Sequence, residues 1–356
     1  MENNIIQFAR RNKVIINDCF NYKLYVNDFS ILKKHQKNAL VFASIETPLE
    51  LCRFLKTHIT EVNEIINSPE YIQFSIPKKK SGHREIFAPG KRLKSLQKHL
   101  NYFLQAYYLC IKPKEVYGFV MNPHFKGSYC NIVENAKKHL QKKSVLNIDL
   151  KDFFPSISAS QVKALFLSDR FQFNEQVATA LTLLTTYQGK LPIGAPTSPV
   201  ISNFICEHLD KDLIAFCETH ELSYTRYADD LTFSSYREIT NDHLLDIINI
   251  IQKNKFRINE RKIRMRHSGK KQVVTGLIVN EKVNIDRKLI KRIRAMIHDK
   301  QTNGIEMAAR KHYGLTKEAD IKYQIKFIQY LNGYINFIGQ VRGKDDSLYI
   351  KYKSMI

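Results

Sequence analysis

Two adjacent carboxylates, Asp229 and Asp230 in Tyr227-Ala228-Asp229-Asp230, stand between the β-prone runs Leu222 to Arg226 and Leu231 to Ser235. Neighbouring side chains of a regular strand point to opposite faces, so a pair meant for one site is best placed at the tip of a tight turn between two strands. Upstream, the apolar run Ser144 to Leu150 is broken by a single carboxylate, Asp149, which is costly there unless it binds something. Asp149 and Asp229 on adjacent strands of one sheet, with Asp230 beside them, could share two magnesium ions roughly 3.5 to 4 Å apart. Hard divalent cations take oxygen ligands, and phosphoryl transfer uses them to activate a nucleophile and to neutralise the leaving phosphates. An Asp-Asp pair alone is more often an inert turn. The upstream acid shifts the reading towards chemistry.

The elements that must position these acids follow along the chain. Residues 1 to about 70 read as helical and carry no catalytic signal; Thr47-Pro48-Leu49-Glu50 is a helix start, and Leu51, Cys52, Leu55, Ile59, Val62 and Ile66 form one core-facing stripe. Tyr71 to Ile76 alternates as a half-buried strand does, and the basic loop Lys78-Lys79-Lys80-Ser81-Gly82-His83-Arg84 leads into Glu85 to Ala88, a hairpin with cations at its tip. Lys91 to Cys110 reads as a helix. Asn135 and His139, four apart on a further helical stretch, share a face and by default form a polar surface pair. Ser158 to Gln161 resembles a capping box for a helix reaching about Asp169, and Tyr187 to Pro199 is a loop in whose glycines a backbone can approach a ligand. Pro199 to Glu218 should be one long helix beneath the acidic hairpin, followed by an amphipathic helix from Asn241 to Lys255 and a densely basic stretch from Arg257 to Lys271. Asp286 to Lys300 and Thr316 to Gln340 read as helices. On the last, Ile321, Ile325, Ile328, Leu331, Ile335 and Ile338 should face the protein, leaving Lys322, Lys326, Gln329, Gly333, Asn336 and Gln340 as an outward polar strip.

Composition narrows the class. With 356 residues, 44% of them hydrophobic, the chain can bury a sizeable core. Its 56 Lys and Arg against 34 Asp and Glu leave a net charge of +22, which favours a polyanionic partner, nucleic acid first. No stretch approaches the roughly 18 consecutive apolar residues of a membrane span, and Met1-Glu2-Asn3-Asn4 does not begin a signal peptide, so a cytoplasmic protein without a membrane partner is expected. Six scattered cysteines, Cys19, Cys52, Cys110, Cys130, Cys206 and Cys217, read as reduced and mostly buried, and neither they nor the twelve histidines suggest zinc.

Asp149-Leu150-Lys151-Asp152-Phe153-Phe154-Pro155-Ser156-Ile157, Gly194-Ala195-Pro196-Thr197-Ser198-Pro199 and Tyr227-Ala228-Asp229-Asp230 resemble, in order, the palm motifs of reverse transcriptases. Asn135-Ala136-Lys137-Lys138-His139 and Val274-Thr275-Gly276, the latter in a strand-like run from Gln272 to Asn280, resemble two signatures of the retron branch. The resemblance implies an α+β right-hand polymerase: an N-terminal helical region (1–70), fingers (71–143), a palm sheet backed by helices (144–285) and a helical thumb (286–356). It implies RNA-directed synthesis of single-stranded DNA on a structured non-coding RNA, primed from a guanosine 2′-hydroxyl, in an antiphage retron. Deoxynucleoside triphosphates are the substrates, two Mg2+ the cofactors, and an effector encoded nearby and a host RNase H the partners. By the same resemblance Lys78 or Lys80, with Arg84, holds the triphosphate; Phe154 excludes a 2′-hydroxyl, with Phe153 in the core; and Lys262 stands near the leaving pyrophosphate, as general acid or as one more cation. Ile193 and Gly194 belong to the nucleotide site, although Ile193 stands where many relatives carry Gln and cannot make that polar contact. Asn135, His139, Thr275, Lys322 and Lys326 fall on the RNA side. Two other readings stay open: another bacterial reverse transcriptase (intron maturase, diversity-generating or abortive-infection type), and an inactive RNA-binding scaffold on the same fold.

Overall fold

A computed structural model of the chain describes residues 32–78, 82–121, 130–316 and 318–356. Cys19 and Lys80 lie outside the described residues. Among the described residues, helices α1 (Lys34–Ala43), α2 (Pro48–Leu55) and α3 (Ile59–Asn67) come first. Thr47 caps α2, accepting the Glu50 N–H at 3.2 Å, while the Glu50 carboxylate accepts the Glu46 N–H at 2.8 Å. The single stripe expected from Leu51 to Ile66 is broken, because Lys56 takes a left-handed φ of 59° and ends α2; Ile59 then starts a new helix on an exposed face.

Strands β1 (Tyr71–Pro77) and β2 (His83–Pro89) form an antiparallel hairpin running from Tyr71↔Pro89 to Pro77↔His83. β1 is exposed almost throughout rather than half-buried, since no described layer covers Ile72, Phe74 and Ile76. The 21-residue helix α4 (Lys91–Ile111) buries Leu93, Leu96, Leu100 and Leu104 at helical spacing, and α5 (Ile132–Lys137) is capped by Asn131, whose side chain accepts the N–H groups of Val133 and Glu134.

The central region comprises β3 (Ser144–Asp149), α6 (Ala159–Leu167), α7 (Glu175–Thr185), α8 (Ser198–Ile205), α9 (Glu207–Thr219), β4 (Ser223–Tyr227), β5 (Asp230–Ser235), α10 (Asn241–Lys253), a 3₁₀ turn (Glu260–Lys262) and β6 (Arg264–His267). The expected capping box at Ser158 opens α6. The helix expected in one piece from Pro199 to Glu218 is interrupted at Cys206, whose ψ of −1° departs from the helical value. The four strands pair antiparallel in the order β4-β5-β3-β6. Side-chain alternation then sorts the sheet. Leu146, Ile148, Tyr224, Leu231 and Phe233 point into the larger core, whereas Asn147, Asp149, Thr225, Asp230 and Thr232 lie on the other face.

The run expected as a strand from Gln272 to Asn280 is a hairpin instead, β7 (Val273–Val274) and β8 (Leu277–Ile278). Its two turn residues, Thr275 and Gly276, have φ of 46° and 85°, the signature of a type I′ turn. Helices α11 (Arg287–Tyr313), broken at Gly304 with φ 78°, α12 (Ile321–Arg342) and α13 (Ser347–Lys353) complete the chain. They share a second core with α5, Val145 of β3 and the β7–β8 hairpin. On α12 the buried stripe is Phe327, Leu331, Ile335 and Ile338, while Ile321 and Ile325 are exposed, contrary to expectation. At about 100° per residue, Phe327, Ile335 and Ile338 lie within about 40° of Leu331, but Ile325 lies about 120° away. Among the described residues no helix is long and apolar enough to cross a membrane.

Candidate active site

The β4–β5 hairpin closes between paired Tyr227 and Asp230, leaving Ala228 and Asp229 as its two-residue turn. Ala228 takes φ 61°, a conformation that costs a Cβ-bearing residue energy and therefore needs support from its surroundings. Asp149, the last residue of β3, is the direct cross-strand partner of Asp230, and the Asp229 carbonyl accepts the Leu150 N–H at 3.0 Å. The three acids expected from sequence thus meet at one end of the sheet. Lys262 Nζ donates to both carboxylate oxygens of Asp149 at 2.8 Å. A cleft opens beside them, lined by Asn147, Ile148, Asp149, Asp230, Lys262 and Arg264.

Electrostatics at this end of the sheet are uneven. Burial, then the nearby Asp149, raises the Asp229 carboxyl, against a backbone hydrogen bond and the pull of Lys262 and Arg84. Asp230 is pushed up to about 6 by burial and then by Asp229 and Asp149, with Lys262 opposing. Its side chain still reaches solvent at the cleft rim, so water screens part of that crowding. Among the described residues no three His, Cys, Asp or Glu side chains stand ready to hold a metal ion; here Lys262 occupies both oxygens of Asp149. The donor set nevertheless fits magnesium in its chemistry. It offers oxygen ligands only, and burial of Asp229 and Asp230 disfavours their charged forms, a cost that a bound cation would offset.

Of the residues expected at the nucleotide, Phe154 is half-buried between Phe119 and Phe153, with ring centroids 5.6 and 5.4 Å away. Phe153 is core, as expected. Arg84 projects from β2 close enough to act on Asp229, while Lys78 is exposed, its N–H closing the hairpin tip on the Gly82 carbonyl at 2.8 Å. The Ile193 carbonyl accepts the Phe87 N–H of β2 at 2.7 Å, and a Cβ on Gly194, at φ 121°, would sit 2.9 Å from Ile86 Cγ2 and from the Phe87 carbonyl. The close approach expected of this loop is therefore made to β2.

Sequence reading passed over a buried polar network under the acidic turn. Arg226 of β4 forks onto Asp210 of α9, with Asn203 of α8 and Tyr224 joined to it. A charge in a β-prone run is the available signal: Asp149 breaks an apolar one, and Arg226 ends the mixed run Leu222 to Arg226.

Asn135 and His139 require correction: they are buried, 1% and 0% exposed, and do not form a polar surface pair or an RNA-facing one. The His139 ring hydrogen-bonds Ser234 Oγ through Nδ1 and Thr225 Oγ1 through Nε2, both at 2.7 Å, and so ties β4 to β5. Burial, helped by Lys142 and Lys138, brings its pKa down to about 3, which keeps the ring neutral. The Thr275 hydroxyl donates to the Ile132 carbonyl at 3.2 Å, joining the β7–β8 turn to the first residue of α5, the helix on which the Asn135-to-His139 signature begins. Lys322 and Lys326 are exposed on α12, the latter 5.6 Å from the Tyr313 ring centroid.

The sequence profile of the family described as "Reverse transcriptase (RNA-dependent DNA polymerase)" matches residues 76–322. The retron Mx65 reverse transcriptase of Myxococcus xanthus is 31% identical over 261 residues, which cover 68% of this chain and 58% of that protein. For the retron Ec86 reverse transcriptase of Escherichia coli the identity is 34% over 229 residues, 64% of each chain. For the retron Ec73 reverse transcriptase of Escherichia coli it is 33% over 234 residues, 61% of this chain and 71% of that one. The chain spans less than two thirds of the length of the first two relatives. On the matched profile, the shared sequence and the position of its acidic hairpin, the chain belongs to the reverse transcriptase family and, within it, to the retron type.

Proposed function

We propose that the chain is the RNA-directed DNA polymerase of a retron, copying part of a structured non-coding RNA into single-stranded DNA joined to RNA through a guanosine 2′-hydroxyl. The observation that carries this reading is the meeting of Asp149, Asp229 and Asp230 at one sheet end, faced by Lys262 and Arg84. Two magnesium ions held by the three carboxylates would activate the attacking hydroxyl and neutralise charge on the triphosphate. The chain's own groups do the rest. Arg84 of β2, with Lys78 or Lys80, binds the triphosphate. Phe154 sets its ring against the sugar and excludes a 2′-hydroxyl, while the backbone at Ile193 and Gly194 fixes that hairpin over the site. Lys262 lets go of at least one Asp149 oxygen when the site fills, and its ammonium then serves the departing pyrophosphate, as proton donor or as counter-charge.

In this reading the β1–β2 hairpin and α4 are fingers, the four-stranded sheet with its helices is the palm, and α11 to α13 are the thumb, following the divisions 71–143, 144–285 and 286–356 after a helical region at 1–70. RNA docks on the thumb face bearing Lys322 and Lys326, with a contribution from the β7–β8 turn, where Thr275 is half-buried and Gly276 exposed. Kinship with retron enzymes supports a cytoplasmic setting in phage defence, with an effector protein and a host RNase H as partners.

The test is to purify the wild-type protein and Asp229→Asn from cells and sequence the nucleic acid that accompanies each. Branched RNA-linked DNA with the wild type and RNA alone with the variant are expected. Undiminished DNA with Asp229→Asn would defeat the site assignment, and DNA without a branch would defeat the retron reading.

A further inference from the structure

Arg226 is the bulkiest fully buried side chain among the described residues. A guanidinium in that setting is costly unless its donors are met. Nε and Nη2 donate to the two oxygens of Asp210 at 2.7 and 2.6 Å, and Nη1 donates to Asn203 Oδ1 at 2.9 Å and to the Ala228 carbonyl at 3.2 Å. The Tyr224 hydroxyl donates to Asp210 at 2.8 Å and fixes that carboxylate in turn. Asn203 carries the network onward, since its Nδ2 donates to the carbonyls of Gly118 and Phe119 at 3.1 and 3.2 Å. Gly118 presses on the Ala228 backbone nitrogen so closely that a Cβ there would overlap it. Ala228 is thus gripped at its carbonyl and walled at its nitrogen, and it is the left-handed residue immediately before Asp229. Well-packed apolar groups stabilise a fold as well as or better than a buried ion pair. What the pair provides here is a fixed position.

We propose that Arg226 is a positioning residue for the polymerase reaction: oriented by Asp210, it holds Ala228 in its left-handed conformation and so sets where the Asp229 carboxylate stands. Through Asn203 the same group anchors Gly118 and Phe119, whose ring packs on Phe154 at 5.6 Å. The acidic turn and the sugar-facing ring are therefore referred to one buried guanidinium. The consequence for rate rests on the polymerase reading above; the consequence for the carboxylates does not.

Two full-length variants test it. Arg226→Lys keeps the charge but loses the fork, and Gly118→Ala pushes the turn from its other side. For each, the binding of Mn2+ is followed by the electron paramagnetic resonance of the free ion, and primer extension is measured per active molecule after active-site titration. Misplacement of a reacting group on the ångström scale costs up to about 100-fold, so a kcat loss of about 10- to 100-fold is expected, with a KM for deoxynucleotide within about twofold of wild type. A Mn2+ dissociation constant raised about tenfold should accompany it. A purely structural role would lower the melting temperature and the number of active molecules while leaving Mn2+ affinity and kcat per active molecule at wild-type values. That result in either folded variant overturns the proposal. If Arg226→Lys does not fold, Gly118→Ala decides. If the wild type binds Mn2+ yet extends no primer, the polymerase reading fails, and the Mn2+ affinities alone decide whether Arg226 positions the carboxylates.

Discussion

Asp230 faces Asp149 directly across β5 and β3, and like charges in that relation repel. With its carboxyl raised to about 6, the proton is a real competitor for any cation at the site. Below about pH 6 Asp230 holds its proton and a metal must displace it; above, the site is charged and open to the ion. The magnesium concentration giving half-maximal DNA synthesis should therefore rise steeply between pH 7.5 and 5.5, and a flat dependence would show that Asp230 is not a ligand. Phe154 gives a second outcome at this scale. Its ring is half-buried rather than core, so Phe154→Val should fold and should raise ribonucleotide over deoxynucleotide incorporation by about tenfold or more in competition assays. An unchanged ratio with activity retained would make the ring a packing group only. The acids were legible because a charge in a β-prone run is expensive on its face. Arg226 carried the same mark at the end of the β-prone run Leu222 to Arg226, but its partner Asp210 sits in a charged helix 16 residues away, and only the packing of α9 on β4 pairs them.

At the scale of elements, α5 shows how a polar pattern misleads when its partner is distant. Asn135 and His139 at helical spacing read as a surface pair, yet the helix lies over the far end of the sheet's polar face. There Thr225 and Ser234 offer hydroxyls to the ring. His139→Ala removes buried volume and leaves two buried hydroxyls unpaired, so it should cost about 2–4 kcal/mol in a urea unfolding titration. RNA affinity per folded molecule should not change. Weakened RNA binding with unaltered stability would restore a direct RNA contact. Periodicity located most helices and the acidic hairpin, because those depend on local burial. It missed the stops at Lys56 and Cys206, the turn at Thr275 and Gly276, and the uncovered face of β1, which depend on backbone conformation or on what packs opposite.

Over the whole molecule the excess of 22 positive charges favours a polyanionic partner, and in the retron reading proposed above the place where RNA meets that charge would decide which RNA is chosen. α12 offers a suitable face. Its buried side fixes Lys322, Lys326, Gln329, Gly333, Asn336 and Gln340 outward, all exposed, and open space above Gly333 leaves room for a sugar-phosphate backbone. The exposed Ile321 and Ile325 extend that surface with apolar area, so binding there need not be electrostatic alone. Recognition of a folded RNA rests on shape, 2′-hydroxyls and phosphates. Every lysine that neutralises a phosphate adds roughly 0.7 to 0.9 to the steepness of log affinity against log salt, so Lys322→Glu with Lys326→Glu should weaken RNA binding and flatten that slope by about 1.5. The two lysines lie on a helix outside the sheet that carries the carboxylates, and the double variant should accordingly keep more synthesis on a generic primer-template than on the cognate RNA. Filter-binding titrations at several salt concentrations, run beside extension assays on both templates, separate the outcomes: equal loss on the two templates, or unchanged affinity, would mean that this face does not select the RNA.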